Sequence, residues 1–253
     1  MVTLSIAGFD PSGGAGILND IKTFSSIGSY GAAVITALTV QNTKRVSKIL
    51  SLPPDFISEQ IDIILEELPI KYCKTGMLYT KDIVKVVSKK IKEYNLKAVV
   101  DPVMVSESGY SLSESSIIKA LKKHLLPRAS LVTPNKFEAE KLSGISINNI
   151  NDAKKAAKKI GEFCDVVITG GDLAGKNIVY IDGKIKIIKS KLIESENTHG
   201  TGCTFSAAVA AYLDRGNSKI KSIKDACKFT KNAILHGKWK TLNQFWMMHD
   251  ILR

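Results

Sequence analysis

The chain has 253 residues, of which 44% are hydrophobic and 24% are charged, and it carries a formal net charge of +12 with a pI near 9.4. This composition excludes a disordered chain, and no apolar run reaches the roughly 20 residues that a membrane-spanning helix needs. The lysines fall in helical patterns such as residues 81–97. That pattern indicates solvated helix faces whose field attracts phosphorylated small molecules, and it favours these over nucleic acid as partners.

The cysteines and the first residues bear on the compartment. Cys73, Cys164, Cys203 and Cys227 are scattered and form no Cys-x-x-Cys pair, which argues against structural zinc and a disulfide framework. The sequence enters an apolar segment at Val2 without a basic start or a small-residue cleavage site, so no secretory signal is predicted. We expect a cytoplasmic protein with reduced thiols and no membrane partner.

The first part of the chain predicts a strand at residues 2–7, a glycine-rich turn, a helix at 17–27 and a strand at 31–40. The turn, GFDPSGGAG, matches neither a Walker A loop nor a dinucleotide fingerprint, but such a turn opens many α/β ligand-binding domains. Asp20 lies in the first helix, where its carboxylate either complements the helix dipole or contacts a substrate. Gln41 ends the second strand, where its carboxamide either recognises a heterocycle or only forms a turn.

Further along, apolar strands end in polar residues. Asp101 lies in the strand predicted at 98–104, and Asn135 and Glu138 begin the helix that follows the strand at 130–132. A carboxylate at the end of a strand suits magnesium, and Asn135 with Glu138 suits either a hydrated magnesium ion or helix capping. The periodicity also predicts helices at 54–68, 81–94, 112–126 and 152–163, and strands at 72–77 and 166–169.

The last third predicts a hairpin and two helices. Asp182-Gly183 joins the apolar segments 178–181 and 184–188, which is a strong short-range hairpin signal. Helices are predicted at about 204–213 and 220–238. Strand and helix alternate along the chain with no linker rich in Pro, Gly or Ser, so we expect a single domain over residues 1–253. The fold class is α/β, with a mainly parallel central sheet flanked by helices and a small β-hairpin.

One segment combines an anion site with a thiol. Residues 197–204 read NTHGTGCT and precede the small, apolar run 205–213, so an irregular segment becomes a helix there. The glycines let successive N–H groups converge, and the helix adds its positive end. Cys203 lies in the first turn, where the dipole is expected to lower the pKa of its thiol. The alternative is an ordinary capped helix, with Thr201 or Thr204 near the cap and Cys203 in the core.

The motifs together resemble one family. The segments AGFDPSGGAGILNDIKTF, VITALTVQNT, KTGML, DPVMVSESG, TPNKFEAEKLSG and NTHGTGCT have the order and spacing of the hydroxymethylpyrimidine and phosphomethylpyrimidine kinases of thiamine biosynthesis, in the ribokinase superfamily. The resemblance implies a ribokinase-like three-layer fold. It also implies that ATP and magnesium are used to phosphorylate 4-amino-5-hydroxymethyl-2-methylpyrimidine and then its monophosphate.

The resemblance also implies roles for individual residues. The positions that match the pyrimidine site are Gly8, Asp20, Gln41 and Val103. The positions that match the magnesium and phosphate region are Asp101, Glu138 and Asn135, with Thr169 and Gly171 on the nucleotide side. The positions that match the anion hole are Gly200, Thr201, Gly202 and Cys203, with Cys203 as the base where most of the superfamily has aspartate. The role of His199 stays open, since a loop histidine either contacts phosphate or serves the structure.

Three departures from the family pattern bear on the nucleotide. Residues 169–172 read TGGD where the family has Lys-Gly-Gly-His, which removes a lysine expected at the ATP phosphates. Glu107 stands in the loop segment where the family has Lys-Ser-Gly, which removes another positive charge. Residues 236–240 replace a segment that is richer in glycine in the family. Positive charge at the nucleotide is then expected from magnesium, from the anion hole or from another lysine.

Two alternatives remain open at this point. One is a pyridoxal or pyridoxine kinase of the same superfamily, which also phosphorylates a small aromatic alcohol. The other is a non-catalytic regulator that binds the pyrimidine without phosphoryl transfer. The resemblance further implies a homodimer, because members of the superfamily are often dimers, and small-molecule partners without nucleic acid.

Overall fold

The centre of the fold is a sheet of nine strands, counted over the residues that the computed structural model describes, which are 1–105, 109–110, 112 and 116–248. The strands are β1 (Val2–Phe9), β2 (Tyr30–Gln41), β3 (Val46–Ser51), β4 (Tyr72–Thr75), β5 (Lys97–Val100), β6 (Ala129–Val132), β7 (Val166–Ile168), β8 (Lys176–Ile181) and β9 (Lys184–Lys189). Their order is β3-β2-β1-β4-β5-β6-β7-β8-β9, and pairs from β2 to β7 are parallel. The strands β3, β8 and β9 pair antiparallel, so the predicted mainly parallel sheet with a small hairpin is confirmed.

Helices cover both faces of this sheet. They are α1 (Gly16–Ile27), α2 (Pro54–Glu67), α3 (Lys81–Glu93), α4 (Ile117–Ala120), α5 (Lys136–Ser143), α6 (Ile150–Ile160), α7 (Thr201–Asp214) and α8 (Lys219–Leu235). Val99 packs with apolar residues of α1, α7 and α8, whereas Val100 packs with those of α2 to α6. Successive strand residues point to opposite faces, so these contacts define three layers. Within the described ranges, no helix is both long and apolar enough to cross a membrane.

The strand β3 was not predicted. Most of its side chains are at least partly exposed, and it is held at the sheet edge by main-chain pairing with β2, in which Leu38 lies opposite Leu50. The turn before it is fixed by Asn42, whose Oδ1 accepts hydrogen bonds from the backbone N–H groups of Lys44 and Arg45. An edge strand of this kind leaves little apolar periodicity to read, because only one neighbour supports it.

The prediction of one regular helix at 112–126 is wrong, because the described part of this segment changes helix type twice. The α-helical part covers α4 alone, and the chain then widens into a π-helical turn at Leu121–Leu125 and a 3₁₀ turn at Leu126–Arg128. Pro127 has no N–H to donate, so the helix does not continue past it. Part of this prediction, residues 113–115, lies outside the described residues, as does the Glu107 departure from the family pattern.

The topology places the sequence motifs at one edge of the sheet. The chain leaves β1 to one side for β2 and later returns to the other side for β4, so the strand order reverses around β1. The parallel strands β1, β4, β5, β6 and β7 all end at this edge. Open α/β sheets bind ligands in the crevice outside such carboxyl ends. The candidate residues after these strands therefore share one crevice.

Candidate functional site

The helix α7 begins without a side-chain cap. Its N-cap is Gly200, with φ near 90°, and a Cβ added there would overlap the carbonyl oxygen of Gly14. Thr201 donates its hydroxyl back to the carbonyl of Thr198 at 2.6 Å and so does not cap the helix. The amides of the first turn have no intrahelical partner, and Gly202 is exposed. The side-chain cap of the alternative prediction is therefore wrong, and the N–H groups of Gly202 and Cys203 are left without an intrahelical partner.

The thiol of Cys203 lies in this first turn beside the start of α1. Burial raises the pKa of the thiol to about 12, and the negative charges of Asp101 and Asp20 add to the rise. The charge of Lys74 and a hydrogen bond from the backbone N–H of Gly16 oppose it. The expected lowering of this pKa is therefore wrong for the free protein, because desolvation and the nearby carboxylates outweigh the helix dipole. Cys203 holds its proton at neutral pH.

Asp20 forms a fully buried ion pair with Lys74. The lysine Nζ lies 3.0 and 2.9 Å from the two carboxylate oxygens of Asp20, and both side chains have 0% exposure. The Ser5 hydroxyl donates to the same carboxylate at 2.6 Å. All of these neighbours are donors, which suits the ionised form of Asp20, because an ionised carboxylate only accepts hydrogen bonds. Burial disfavours the ammonium, but Asp20, Cys203 and Asp101 raise the pKa of Lys74. The pyrimidine-binding role of Asp20 stays a prediction, and the structure gives it a partner the sequence did not indicate.

Asp101 joins this ion pair to the start of α7. Its Oδ2 lies 3.8 Å from the Lys74 Nζ and accepts a hydrogen bond of 2.9 Å from the hydroxyl of Ser206. Burial raises the pKa of Asp101, while Lys74, Ser206 and the thiol of Cys203 oppose the rise. Because Ser206 lies one turn after Cys203 on α7, the carboxylate is held against the helix that is predicted to supply the anion hole. Asp101, the predicted magnesium ligand, is thus a buried acid next to Cys203, the predicted base.

Glu138 and Asn135 form a capping box at the start of α5. The Oδ1 of Asn135 accepts from the N–H of Glu138 at 2.9 Å, and the Oε2 of Glu138 accepts from the N–H of Asn135 at 2.9 Å. The capping alternative read from the sequence is thus realised. Burial raises the pKa of Glu138 to about 8, and the negative charge of Asp101 adds to it. Two buried carboxylates therefore repel each other across the crevice, which a cation between them would relieve.

The chemistry of this pair fits magnesium. Mg²⁺ commonly binds through one or two carboxylates and keeps waters and substrate phosphates as its other ligands. Over the part of the chain that the structure describes, no group of three or more His, Cys, Asp or Glu side chains forms a protein cage. Asp101 and Glu138 are thus suited to an ion that arrives with a nucleotide.

A small apolar cluster lies beside the predicted pyrimidine residues. The backbone of Gly8 packs against Met77, and Val103 packs on the cluster that contains Met77 and Val46. Gln41 ends β2 and pairs in the sheet with Val46, so its half-buried side chain lies near the same cluster. The structure thus brings together Gly8, Gln41 and Val103 at the end of the sheet. It places Asp20 deeper, in the buried ion pair.

The turn after β7 contains Thr169 and Gly171. The N–H of Thr169 donates to the Pro134 carbonyl at 2.9 Å, which joins this turn to the segment before Asn135. The side chain of Asn177 accepts from the Gly170 N–H at 2.9 Å and donates to the sulfur of Cys227 at 3.5 Å. Gly171 itself is exposed. Cys227 lines a cavity of about 430 Å³ between β9 and α8, whose other lining residues include Lys189, Lys191, Lys224, Lys228 and Lys231.

Asp10 ties the glycine-rich turn after β1 to the anion-hole segment. Its Oδ2 lies 2.8 Å from the Nε2 of His199 and also accepts from the Ala15 N–H at 3.0 Å. Burial opposes ionisation of Asp10, but the hydrogen bonds from His199 and Ser12 together lower its pKa. His199 is buried, with 7% exposure. The contact with Asp10 gives this histidine a structural partner, which the sequence left open.

Sequence reasoning missed several residues of the site. Lys74 stands inside a segment predicted as a buried strand, and a lysine in such a place is a signal in itself, because buried lysines are almost always paired. Ser206 and Asn19 gave no comparable signal. Their importance depends on which helix packs beside them, and only the tertiary structure shows this.

The comparisons with known proteins agree with this geometry. The family model described as phosphomethylpyrimidine kinase matches residues 10–246. A hydroxymethylpyrimidine/phosphomethylpyrimidine kinase of Aquifex aeolicus is 43% identical, covering 94% of this chain and 96% of that protein. The chain spans just under half the length, 44% to 48%, of bifunctional thiamine biosynthesis proteins that it also matches.

Solved structures support the same grouping. A phosphomethylpyrimidine kinase of Clostridium difficile superimposes with a TM-score of 0.83 at 38% identity, covering 92% of this chain and 99% of that one. A pyridoxal kinase of Staphylococcus aureus in complex with ADP gives a TM-score of 0.87 at 35% identity, covering 97% and 93%. The predicted ribokinase-like three-layer fold is confirmed by these neighbours. With its family model matched over nearly the whole chain and its motifs gathered in one crevice, the chain belongs to the phosphomethylpyrimidine kinase family.

Proposed function

We propose that the chain phosphorylates 4-amino-5-hydroxymethyl-2-methylpyrimidine and then its monophosphate, with ATP as the donor, on the route to thiamine diphosphate. The observation behind this proposal is the juxtaposition of the open helix start at Gly200 with the buried carboxylates of Asp101 and Glu138. Phosphoryl transfer depends mainly on positioning and on neutralised oxygens, and this crevice offers both. The names of the family relatives supply the substrate.

The amides at the start of α7 would hold the transferred phosphoryl group. Gly202 is exposed, and the N–H groups of Gly202 and Cys203 have no intrahelical partner, whereas the N–H of Thr201 donates to the Thr198 carbonyl at 3.0 Å. Gly16, at the start of α1, directs a further amide to the thiol of Cys203. The starts of two helices thus face the same point, where they stabilise negative charge as it develops.

Cys203 would handle the proton of the substrate hydroxyl. A thiol whose pKa is about 12 does not remove this proton before the new bond forms. In a loose transition state the proton leaves late, when the attacking oxygen has become acidic. The thiol hydrogen-bonds to Asp101. The sulfur can accept the hydroxyl proton once its own proton has been released to solvent, and the charge of Lys74 and the Gly16 N–H favour the thiolate that this requires.

Magnesium would be held by Asp101 and Glu138 together with the phosphates of the nucleotide. Bound there, it would neutralise negative charge on the phosphate oxygens. Asn135 supports this arrangement because its N–H holds one oxygen of Glu138 at 2.9 Å, and a backbone hydrogen bond from Met104 also holds this carboxylate. The ammonium of Lys74 is paired with Asp20 at 2.9 Å and lies 3.8 Å from Asp101.

The nucleotide base would occupy the cavity between β9 and α8. This cavity of about 430 Å³ has apolar walls from Ile187 and Ile188 and a lysine-rich rim. Asn177 links it to the turn that contains Thr169 and Gly171. The lysines of the rim offer positive charge on the side where Thr169 replaces the lysine expected from the family.

The single kinase domain over residues 1–253, the cytoplasmic location and the homodimer are also proposals. One sheet spans β1 to β9, which supports the single domain. Leu38, Val40 and Leu50 are exposed on β2 and β3, and such side chains are typical of a surface that a second copy covers. Sedimentation of the wild type and of Leu50→Lys would test the dimer.

Pyridoxal phosphorylation is the second candidate, because the pyridoxal kinase of Staphylococcus aureus superimposes as well as the pyrimidine kinase. A coupled assay with purified protein and magnesium-ATP should compare the hydroxymethylpyrimidine, its monophosphate and pyridoxal side by side. We expect turnover of both pyrimidines and at most slow turnover of pyridoxal. Turnover of pyridoxal alone would reject the proposed substrate. Pyrimidine binding without any turnover would instead favour a regulator.

A further inference from the structure

Asn19 lies between the two glycine-containing turns of the site. Its Nδ2 donates to the carbonyl of Gly14 at 2.6 Å and to the carbonyl of Gly200 at 3.3 Å. The side chain is fully buried, with 0% exposure. Each of its two amide hydrogens therefore goes to a different turn, one after β1 and one at the start of α7.

The Oδ1 of Asn19 receives a chain of hydrogen bonds from the other side. The hydroxyl of Thr204 donates to this Oδ1 at 2.9 Å, and the Nε2 of Gln244 lies 3.3 Å from the same hydroxyl. Thr204 and Gln244 are buried, with 0% and 2% exposure. These hydrogen bonds fix the orientation of the Asn19 carboxamide, because a flipped carboxamide would point its oxygen at the carbonyls of Gly14 and Gly200.

The two turns are in such close contact that no side-chain atom of residue 200 would fit between them. A Cβ at Gly200 would overlap the Gly14 carbonyl oxygen and come within 2.6 Å of the Asn19 Nδ2. The Gly14 and Gly200 backbones thus face each other directly, with the Asn19 carboxamide as the bridge. The amide of Gly16, two residues after Gly14, reaches Cys203, three residues after Gly200. Any shift between the turns changes where these amides meet.

We propose that Asn19 is a positioning residue for phosphoryl transfer, which rests on the proposed function. Its carboxamide sets the separation of the glycine-rich turn after β1 from the anion hole, so that the amides of both helix starts converge on the reacting phosphoryl group. The chain through Thr204 and Gln244 holds the carboxamide in one orientation. Asn19 acts through the two turns to which its carboxamide donates.

The test compares Asn19→Ala with Asn149→Ala. Asn149 also bonds backbone groups, as the N-cap of α6, but it is exposed and outside the site, so it controls for lost stability. We expect Asn19→Ala to lower kcat for the pyrimidine about 10- to 100-fold, because small misplacements of reacting groups have effects of this size. The KM for the pyrimidine should stay within about twofold, since the pyrimidine pocket is unchanged. Asn149→Ala should keep both constants.

Hydrogen exchange of residues 197–204 gives a readout that needs no turnover. We expect faster exchange there in Asn19→Ala and wild-type exchange in Asn149→Ala. If Asn19→Ala does not fold, Thr204→Val removes only the hydroxyl at similar volume and should act in the same direction, with Thr204→Ser restoring kcat and exchange. Wild-type kcat and exchange in both Asn19→Ala and Thr204→Val would overturn the proposal. Absence of turnover in the wild type would reject the proposed function, and the exchange result would still decide the role of Asn19.

Discussion

Lys74→Met removes the ammonium that holds Asp20 and Asp101 together beneath the helix start. Lys74 and Asp20 both have 0% exposed side chains, and the Nζ lies 2.9 Å from Asp20 and 3.8 Å from Asp101. The variant therefore leaves two buried carboxylates without their cation. Removing one member of a buried pair costs about 3–5 kcal/mol, which is a large share of a total stability of about 5–15 kcal/mol.

The double variant Lys74→Met/Asp20→Asn separates two contributions to the loss of stability. One is the loss of the attraction between Lys74 and Asp20, and the other is the cost of leaving the Asp20 carboxylate buried without a cation. Both positions are then neutral, and Asp101, which lies 3.8 Å from the Lys74 Nζ in the wild type, is still left without this cation. We expect the double variant to be more stable than Lys74→Met, with a coupling energy of about 2 kcal/mol or more. Guanidinium denaturation at constant slope measures each free energy of unfolding. Lys85→Met is the control, because the Lys85–Asp82 pair is exposed and its loss should leave the midpoint unchanged.

The pH dependence gives an independent check on the same variant. Burial raises the folded-state pKa of Asp20 even beside Lys74, and Lys74→Met removes the charge that opposes this rise, so the folded variant binds still more protons relative to its unfolded chain. The stability deficit of Lys74→Met should therefore shrink as the pH falls from about 8 to about 5. Additive single effects, or a deficit that stays constant with pH, would refute the view that this pair is a coupled buried charge cluster.

Further substitutions test the other parts of the site. Cys203→Ala should lower kcat far more than pyrimidine affinity, and equal wild-type and variant rates in the coupled assay would reject Cys203 as the proton acceptor. Gly200→Ala should abolish turnover and lower the melting temperature, because φ near 90° and the Gly14 carbonyl leave no room for a Cβ, and a wild-type melting curve would contradict this packing. Asp10→Asn should destabilise the protein at pH 7, where Asp10 is ionised and its lowered pKa contributes stability, and the difference should vanish as the pH falls below about 4 in thermal unfolding.

The sequence predicted the architecture because the parallel strands are buried on both faces. Segments such as Val166–Ile168 form continuous apolar runs, and turn signals separate them from the helices. The hairpin of β8 and β9 was readable from Asp182-Gly183, whose backbone has the positive φ angles that this turn requires. The edge strand β3 was not readable, because its register depends on β2 rather than on its own pattern.

The structure brings together residues that the sequence singled out, but their electrostatics were not predicted. Cys203, Asp101 and Glu138 lie near one another because they follow strand ends or start a helix, and their roles stay predictions. The pKa of the thiol was predicted in the wrong direction, since the helix dipole is local and visible in the sequence. Burial and the charges of Asp101 and Asp20 come from other elements, and only the fold brings them to Cys203.

The charges of Asp101 and Asp20 help to explain why Cys203 is a thiol in this structure, although the helix dipole alone would predict a thiolate. In the free protein, Asp20 and Lys74 neutralise each other, and Asp101 leaves the buried cluster with a negative charge. A thiolate at Cys203 would add a second one, so the proton stays on sulfur. The N–H of Gly16 donates to this thiol, so the proposed site of the phosphoryl group is at the first-turn amides of α7. The thiol thus stays protonated chiefly because Cys203 is itself buried, and the charges of Asp101 and Asp20 add to this effect.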